Sequence, residues 1–178
     1  MSSFARKARR KNVQHDTSNK SCVTVVKHAT AEQIIHDHSI ISEIYDNLMI
    51  VLDVAVHRSF GWGKKLQAKL HAKMARHLQC MRSRLVTTPD IEKILREETG
   101  LKLRKRHMTD ETWNRNRRLQ YNAVNDISAV FLLSLKDEFG YSKIRLKRVY
   151  EIARDMSHEL STGNTTLDSI RKEWEAIR

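Results

Sequence analysis

Breaks, staples and membrane-length apolar runs are scarce in this chain. A single proline and five glycines among 178 residues leave few places for a helix to stop, so long helices are the default. Two cysteines, Cys22 and Cys80, are too few and too scattered for a disulfide framework and point to a reducing cytosol. The longest apolar runs fall far short of the roughly 20 residues that cross a bilayer. The basic N-terminus lacks the apolar core and small-residue cleavage site of a secretory signal. A soluble cytoplasmic protein with no membrane partner is expected. Catalytic signatures are missing too: no phosphate-cradling glycine loop, no nucleophile elbow, no pair of acids in an evident cleft. Glu43, Asp46 and Asp53 fall near one face of a helix, which alone does not make a nuclease. The chain therefore reads as not an enzyme, with no cofactor.

Histidine is plentiful, at nine residues, but its spacing does not suggest a metal. His36 and His38 are two apart and diverge on a helix. Asp53 with His57 and His77 with Cys80 share faces, yet neither pair finds a third and fourth ligand at recognisable spacing. His71 and His77 instead extend a basic surface.

That surface is the main surplus. The net charge is +12, and it is segregated: residues 1–20 carry +5, residues 58–84 hold eight cations and no acid, and residues 101–121 carry +5. Everything else is net negative. Segregation of this kind is the electrostatic footprint of a polyanion-binding protein, nucleic acid being the commonest partner.

The chain also says nearly the same thing twice, and the two copies stay in one constant register. Val51, Phe60, Gly61 and Lys64 recur as Val130, Phe139, Gly140 and Lys143, and Leu48, Leu52, Val56 and Trp62 have apolar counterparts in Ile127, Phe131, Leu135 and Tyr141. Each copy reads as a helix that stops at Phe-Gly, turns on an aromatic residue and restarts at a lysine. Convergent hairpins would give the same architecture as duplication. The stretch Asp137-Glu138-Phe139-Gly140-Tyr141-Ser142-Lys143-Ile144-Arg145-Leu146 resembles small helical proteins of phages and prophages of Gram-positive bacteria, which carry a similar acidic-Phe-Gly-aromatic-x-Lys-x-x-Leu hairpin. The resemblance covers the hairpins alone, implies a bacterial cytoplasm and assigns no site residues.

Periodicity places the elements. Residues 1–29 form a flexible basic arm, with Cys22 to Val26 as extended coil. Thr30 caps a short helix through His38, and a long one follows from Ser39 to Phe60, its stripe running Ile41, Ile44, Tyr45, Leu48, Val51, Leu52 and Ala55. A helix over residues 63–85 carries Leu66, Leu70, Met74, Leu78, Met81 and Leu85 at steps of four and three. Thr88 and Pro89 open a short helix that closes at Gly100. Thr109 caps the second long helix, through Val124 to Phe139, and helices over residues 142–160 and 167–177 complete the second copy. The expected fold is all-α: two three-helix units, residues 30–100 and 101–178, either separate or packed as one domain. Long apolar faces suggest a homodimer.

Function is sought where the copies differ. Opposite the stripe of the residue 63–85 helix stand Lys65, Lys69, Lys73 and Arg76, with Lys64, Arg82 and Arg84 on the flanks. Like charges three and four apart repel by a few tenths of a kcal/mol per pair, and no acid intervenes. The second copy sets Glu151, Asp155 and Glu159 among its cations, an ordinary mixed surface. The expectation is a non-catalytic nucleic-acid-binding protein, a phage-type regulator, with phosphates met by Lys64, Lys65, Lys69, Lys73 and Arg76 and by Arg6, Lys7, Arg9, Arg10 and Lys11 of the arm. Weaker contacts come from Lys102 and from Arg115, Arg117 and Arg118. The Gly61-Trp62-Gly63 turn invites comparison with the helix-hairpin-helix motif, although Gln67 stands where that motif has a small residue. The alternative is an interaction module that antagonises a host nucleoprotein or defence complex.

Overall fold

Thr30 opens the first helix through a reciprocal capping box: its hydroxyl accepts from the Gln33 N–H at 3.2 Å, and Gln33 Oε1 accepts from the Thr30 N–H at 3.1 Å. The structure, a computed structural model, describes residues 30–103 and 114–177, and every regular element among them is helical: α1 (Ala31–Phe60), α2 (Lys64–Arg82), α3 (Thr88–Thr99), α4 (Arg115–Phe139), α5 (Lys143–Thr162) and α6 (Leu167–Ile177). The arm, including Arg6, Lys7, Arg9, Arg10 and Lys11, and the expected cap Thr109 lie outside the described residues. Among the described residues, no helix is long and apolar enough to cross a membrane.

Several boundaries move. The expected break at Ser39 is absent, and α1 is one helix of 30 residues. Without proline or glycine in this stretch the polar run His36 to Ser39 simply continues as an exposed part of the helix, tied to the start of α4 by a two-pronged Arg115–Asp37 pair. α4 itself begins at Arg115 with Asn114 as N-cap, its side chain accepting from the Arg117 N–H at 2.9 Å. α3 starts one residue earlier than expected. Thr87 is the N-cap, because Asp90 accepts its N–H and its hydroxyl, while the Thr88 hydroxyl is drawn to Asp126 on α4.

The register of the repeat governs the packing. On α2 the buried face is Gln67, Leu70, Met74 and His77, and on α5 it is Leu146, Val149, Ala153 and Met156, the same four places of the repeat. α3 and α6 begin at Thr88 and Leu167, again matching places, and both bury an isoleucine, Ile91 and Ile170. Gly61 and Gly140 end the long helices at φ 67° and 65°, the left-handed conformation that glycine adopts at no steric cost. At the next joint Gly163 has φ 75° and its counterpart Arg84 has φ 55°.

α1 and α4 lie side by side and run in the same direction: Asp37 meets Arg115 near their starts, and Phe60 and Phe139 share one aromatic cluster at their ends. Met49 to Val56 and Ala129 to Leu135 are buried without interruption, the pattern of helix halves surrounded on all sides. The surrounding helices come from the opposite unit. α1 packs chiefly on α4, α5 and α6, and α4 on α1, α2 and α3. One core therefore draws on both units. The turns interlock in the same crossed way, with Phe60 against Tyr141 at 5.0 Å between ring centroids, Trp62 against Phe139 at 4.3 Å, and Trp62 against Tyr141 at 5.7 Å.

Candidate nucleic-acid interface

α2 owes its orientation to what it buries. Leu70 and Met74 are fully enclosed, with the polar Gln67 and His77 on the same face. The apolar stripe read from sequence is correct at Leu70 and Met74 and wrong at its edges: Leu66 is 36% exposed, and Leu85, 54% exposed, lies beyond the helix end at Arg82. The inward set leaves Lys64, Lys65, Lys69 and Arg76 exposed and Lys73 half-buried. None of these five pairs with a described carboxylate, and the first turn of α2 holds no acid. On α5, Lys147 lies 3.5 Å from Glu151 and Arg154 2.9 Å from Asp155, so two of its five cations are paired within the helix. The contrast between the copies thus extends from composition to pairing.

Polar groups beneath this face fix its position. Asp53 on α1 is 1% exposed. Its Oδ1 lies 2.8 Å from His71 Nε2, its Oδ2 accepts from the Trp174 indole N–H at 3.0 Å, and its carbonyl accepts from Gln67 at 3.4 Å. Because α2 and α6 both reach Asp53, they share one side of α1, and the Arg58–Glu173 pair, 2.9 Å at Nε, braces the same side. Further along, His77 Nε2 lies 3.6 Å from Asp137 Oδ2 on α4. Burial, aided by the nearby cations Lys73, Arg76 and Lys136 and opposed by Asp137, pulls the His77 imidazole down to about 4. It is therefore neutral at physiological pH, and Lys136, 3.2 Å from Asp137 and also bonded to Glu98, supplies the positive charge there. Burial lowers the Lys136 ammonium, but its carboxylate partners outweigh that and hold it above its ordinary value.

The two histidines expected to extend the basic face do not. His77 is buried and uncharged, and His71 is turned toward Asp53. Arg115 is occupied by Asp37, whereas Arg117, Arg118 and Lys102 are exposed. Trp62 and Tyr141 are each 7% exposed, so they hold the turns together and present no face to a base. The acids Glu43, Asp46 and Asp53 do not converge. Asp53 is enclosed, and Glu43 and Asp46 line an open groove of about 660 Å³ with His38, Ser42, Asn47 and Arg171. Among the described residues no cluster of three or more His, Cys, Asp or Glu is placed to hold a metal.

Two cations not singled out as candidates from the sequence stand at the hairpin end. The Arg145 guanidinium lies 5.3 Å from the Tyr141 ring centre, and that of Arg148 5.9 Å from Phe60. The repeat itself carried the signal, since Arg148 occupies the place in the second copy that Lys69 holds in the first. Compared with protein-family models, curated proteins and solved structures, the chain finds no match.

Proposed function

We propose that the protein binds nucleic acid without catalysing a reaction on it, meeting phosphates through Lys64, Lys65, Lys69, Lys73 and Arg76 of α2. The observation that carries this reading is a row of cations on one outward helix face with no described carboxylate paired to it, on a molecule whose related helix interleaves acids and pairs Lys147 and Arg154 with them. The repulsion that such a row stores is relieved when phosphates replace released counterions. Arg6, Lys7, Arg9, Arg10 and Lys11 add non-specific affinity in the same proposal. So do the finer identifications of a phage-type regulator, a bacterial cytoplasm and a homodimer belong to it.

The test is a salt titration against random DNA and RNA. Lys65→Glu/Lys69→Glu/Lys73→Glu/Arg76→Glu should weaken binding uniformly across sequences and reduce the slope of log affinity on log salt by about three to four. Unchanged binding by a variant that keeps its helical signal overturns the reading. If the wild type is not retained at low salt, the interaction module directed at a host nucleoprotein or acidic protein surface takes its place.

A further inference from the structure

The basic surface does not end with α2. The aromatic cluster brings both hairpin turns together, so α2 and α5 start from the same end of the molecule. Of the cations on α2, two keep a cation at the matching place of α5: Lys64 answers to Lys143 and Lys69 to Arg148. Lys65, Lys73 and Arg76 answer to Ile144, Ile152 and Asp155. The cations common to both copies are therefore those within the first turns of α2 and α5. The Lys143 stem lies over the end of α3, 3.6 Å from where a Cβ on Gly100 would sit, and Lys102 stands exposed two residues on. α5 has no acid before Glu151.

Arg148 crosses from the second unit to Phe60 of the first, three residues before the Gly63 that launches α2, while Arg145 sits on the Tyr141 ring. A guanidinium resting on an aromatic face keeps its N–H edge available. Its stem is already ordered, so less freedom is lost when a phosphate binds that edge. Both side chains are exposed and neither pairs with a described carboxylate.

From this juxtaposition we infer that a nucleic-acid backbone crosses the hairpin end, contacting Lys64 and Lys69 from the first unit and Arg145 and Arg148 from the second. The inference rests on the function proposed above and assigns the second unit a direct part in it. The occupant is a polynucleotide because the cations at the hairpin end are several, separate and drawn from both units, which matches a chain of phosphates better than a single anion.

The experiment compares fluorescently labelled random oligonucleotides of DNA and RNA over a salt series. Arg145→Glu/Arg148→Glu should lose about tenfold in affinity at low salt and lower the salt slope by about two. Lys93→Glu/Arg96→Glu, an equal change of charge at exposed places on α3, should lose far less. An equal loss in both pairs would mean that net charge alone acts, and overturns the inference. Wild-type binding by the Arg145/Arg148 pair, while the α2 variant loses binding, overturns this extension and leaves the proposed function standing. If neither variant loses binding, both fall. Arg145→Gln/Arg148→Gln serves should the charge-reversed pair fail to fold. Phosphatidylserine-containing vesicles form the other arm: if they bind as tightly as the oligonucleotides and with the same dependence on Arg145 and Arg148, the surface belongs to a membrane and the inference is overturned.

Discussion

His77 shows how a single residue links the basic face to the stability of the fold. Its imidazole is 4% exposed, and the charged groups facing it are Asp137 and Lys136 from α4 and Lys73 and Arg76 from its own helix. It protonates near 6.5 in the unfolded chain and near 4 in the fold. Between those values the unfolded chain holds the extra proton, so stability is fully present above 6.5 and declines as pH falls toward 4. At about 1.4 kcal/mol per unit, the loss from about pH 7 to about pH 5 is about 2 kcal/mol. Urea denaturation at the two pH values should show it, and His77→Gln should remove most of it. An undiminished pH dependence in the variant would show that other groups carry it. Gln67 and His77 escaped the sequence reading for one reason: a search for apolar periodicity passes over polar residues, and here two of the four inward places are polar. The information was nonetheless present, since Leu146 and Met156 of the cleaner stripe fall on Gln67 and His77 when carried back in the register of the repeat.

Among the elements, the joint between α2 and α3 obeys the repeat in backbone but not in sequence. The Leu85 N–H donates to Cys80 at 3.0 Å and the Arg84 N–H to Met81 at 2.8 Å, and at the matching places of the second copy Asn164 donates to Glu159 at 3.0 Å and Gly163 to Leu160 at 3.3 Å. The same left-handed residue closes both helices, but in the first copy it is an arginine, whose Cβ crowds the following carbonyl. Arg84→Gly should therefore stabilise the protein by roughly 0.5–1 kcal/mol, the strain relieved exceeding the added freedom of the unfolded chain. Chemical denaturation would detect this, and a destabilised variant would show that the Arg84 side chain does more than tolerate its conformation. The substitution also explains a boundary error. With no glycine at the joint and apolar steps continuing to Leu85, α2 reads as three residues too long. Where glycine marks the stop, at Gly61, Gly100 and Gly140, the helix ends were legible from sequence. The break expected at Ser39 failed for the converse reason, because a polar run is no obstacle to a helix exposed to water.

For the whole molecule, the repeat was visible in the sequence and the way its copies embrace was not. A buried stripe has the same period whether it packs on its own hairpin partner or on the other unit's helix, so periodicity leaves the two possibilities equal. The structure takes the crossed arrangement. α2 and α3 rest chiefly on α4, and α5 and α6 on α1, while the swapped aromatic pairs Phe60–Tyr141 and Trp62–Phe139 lock the ends. Removing one unit would thus strip the other of most of its packing. Val54, Val56, Leu70 and Met74 in the first unit are fully enclosed, and each loses about 1.5–3 kcal/mol of burial if exposed, which together rivals the whole reserve of a small domain. Residues 1–103 and 104–178 produced as separate chains should each lack a cooperative thermal transition by circular dichroism, and mixing them should restore both helical signal and cooperativity. A half that unfolds cooperatively as a monomer would show that cross-unit packing is not what holds its helices. The same dependence bears on the basic surface, since its two sides are brought together by contacts between units: mixed halves should recover oligonucleotide binding in step with helicity, and neither half alone should approach the affinity of the intact chain.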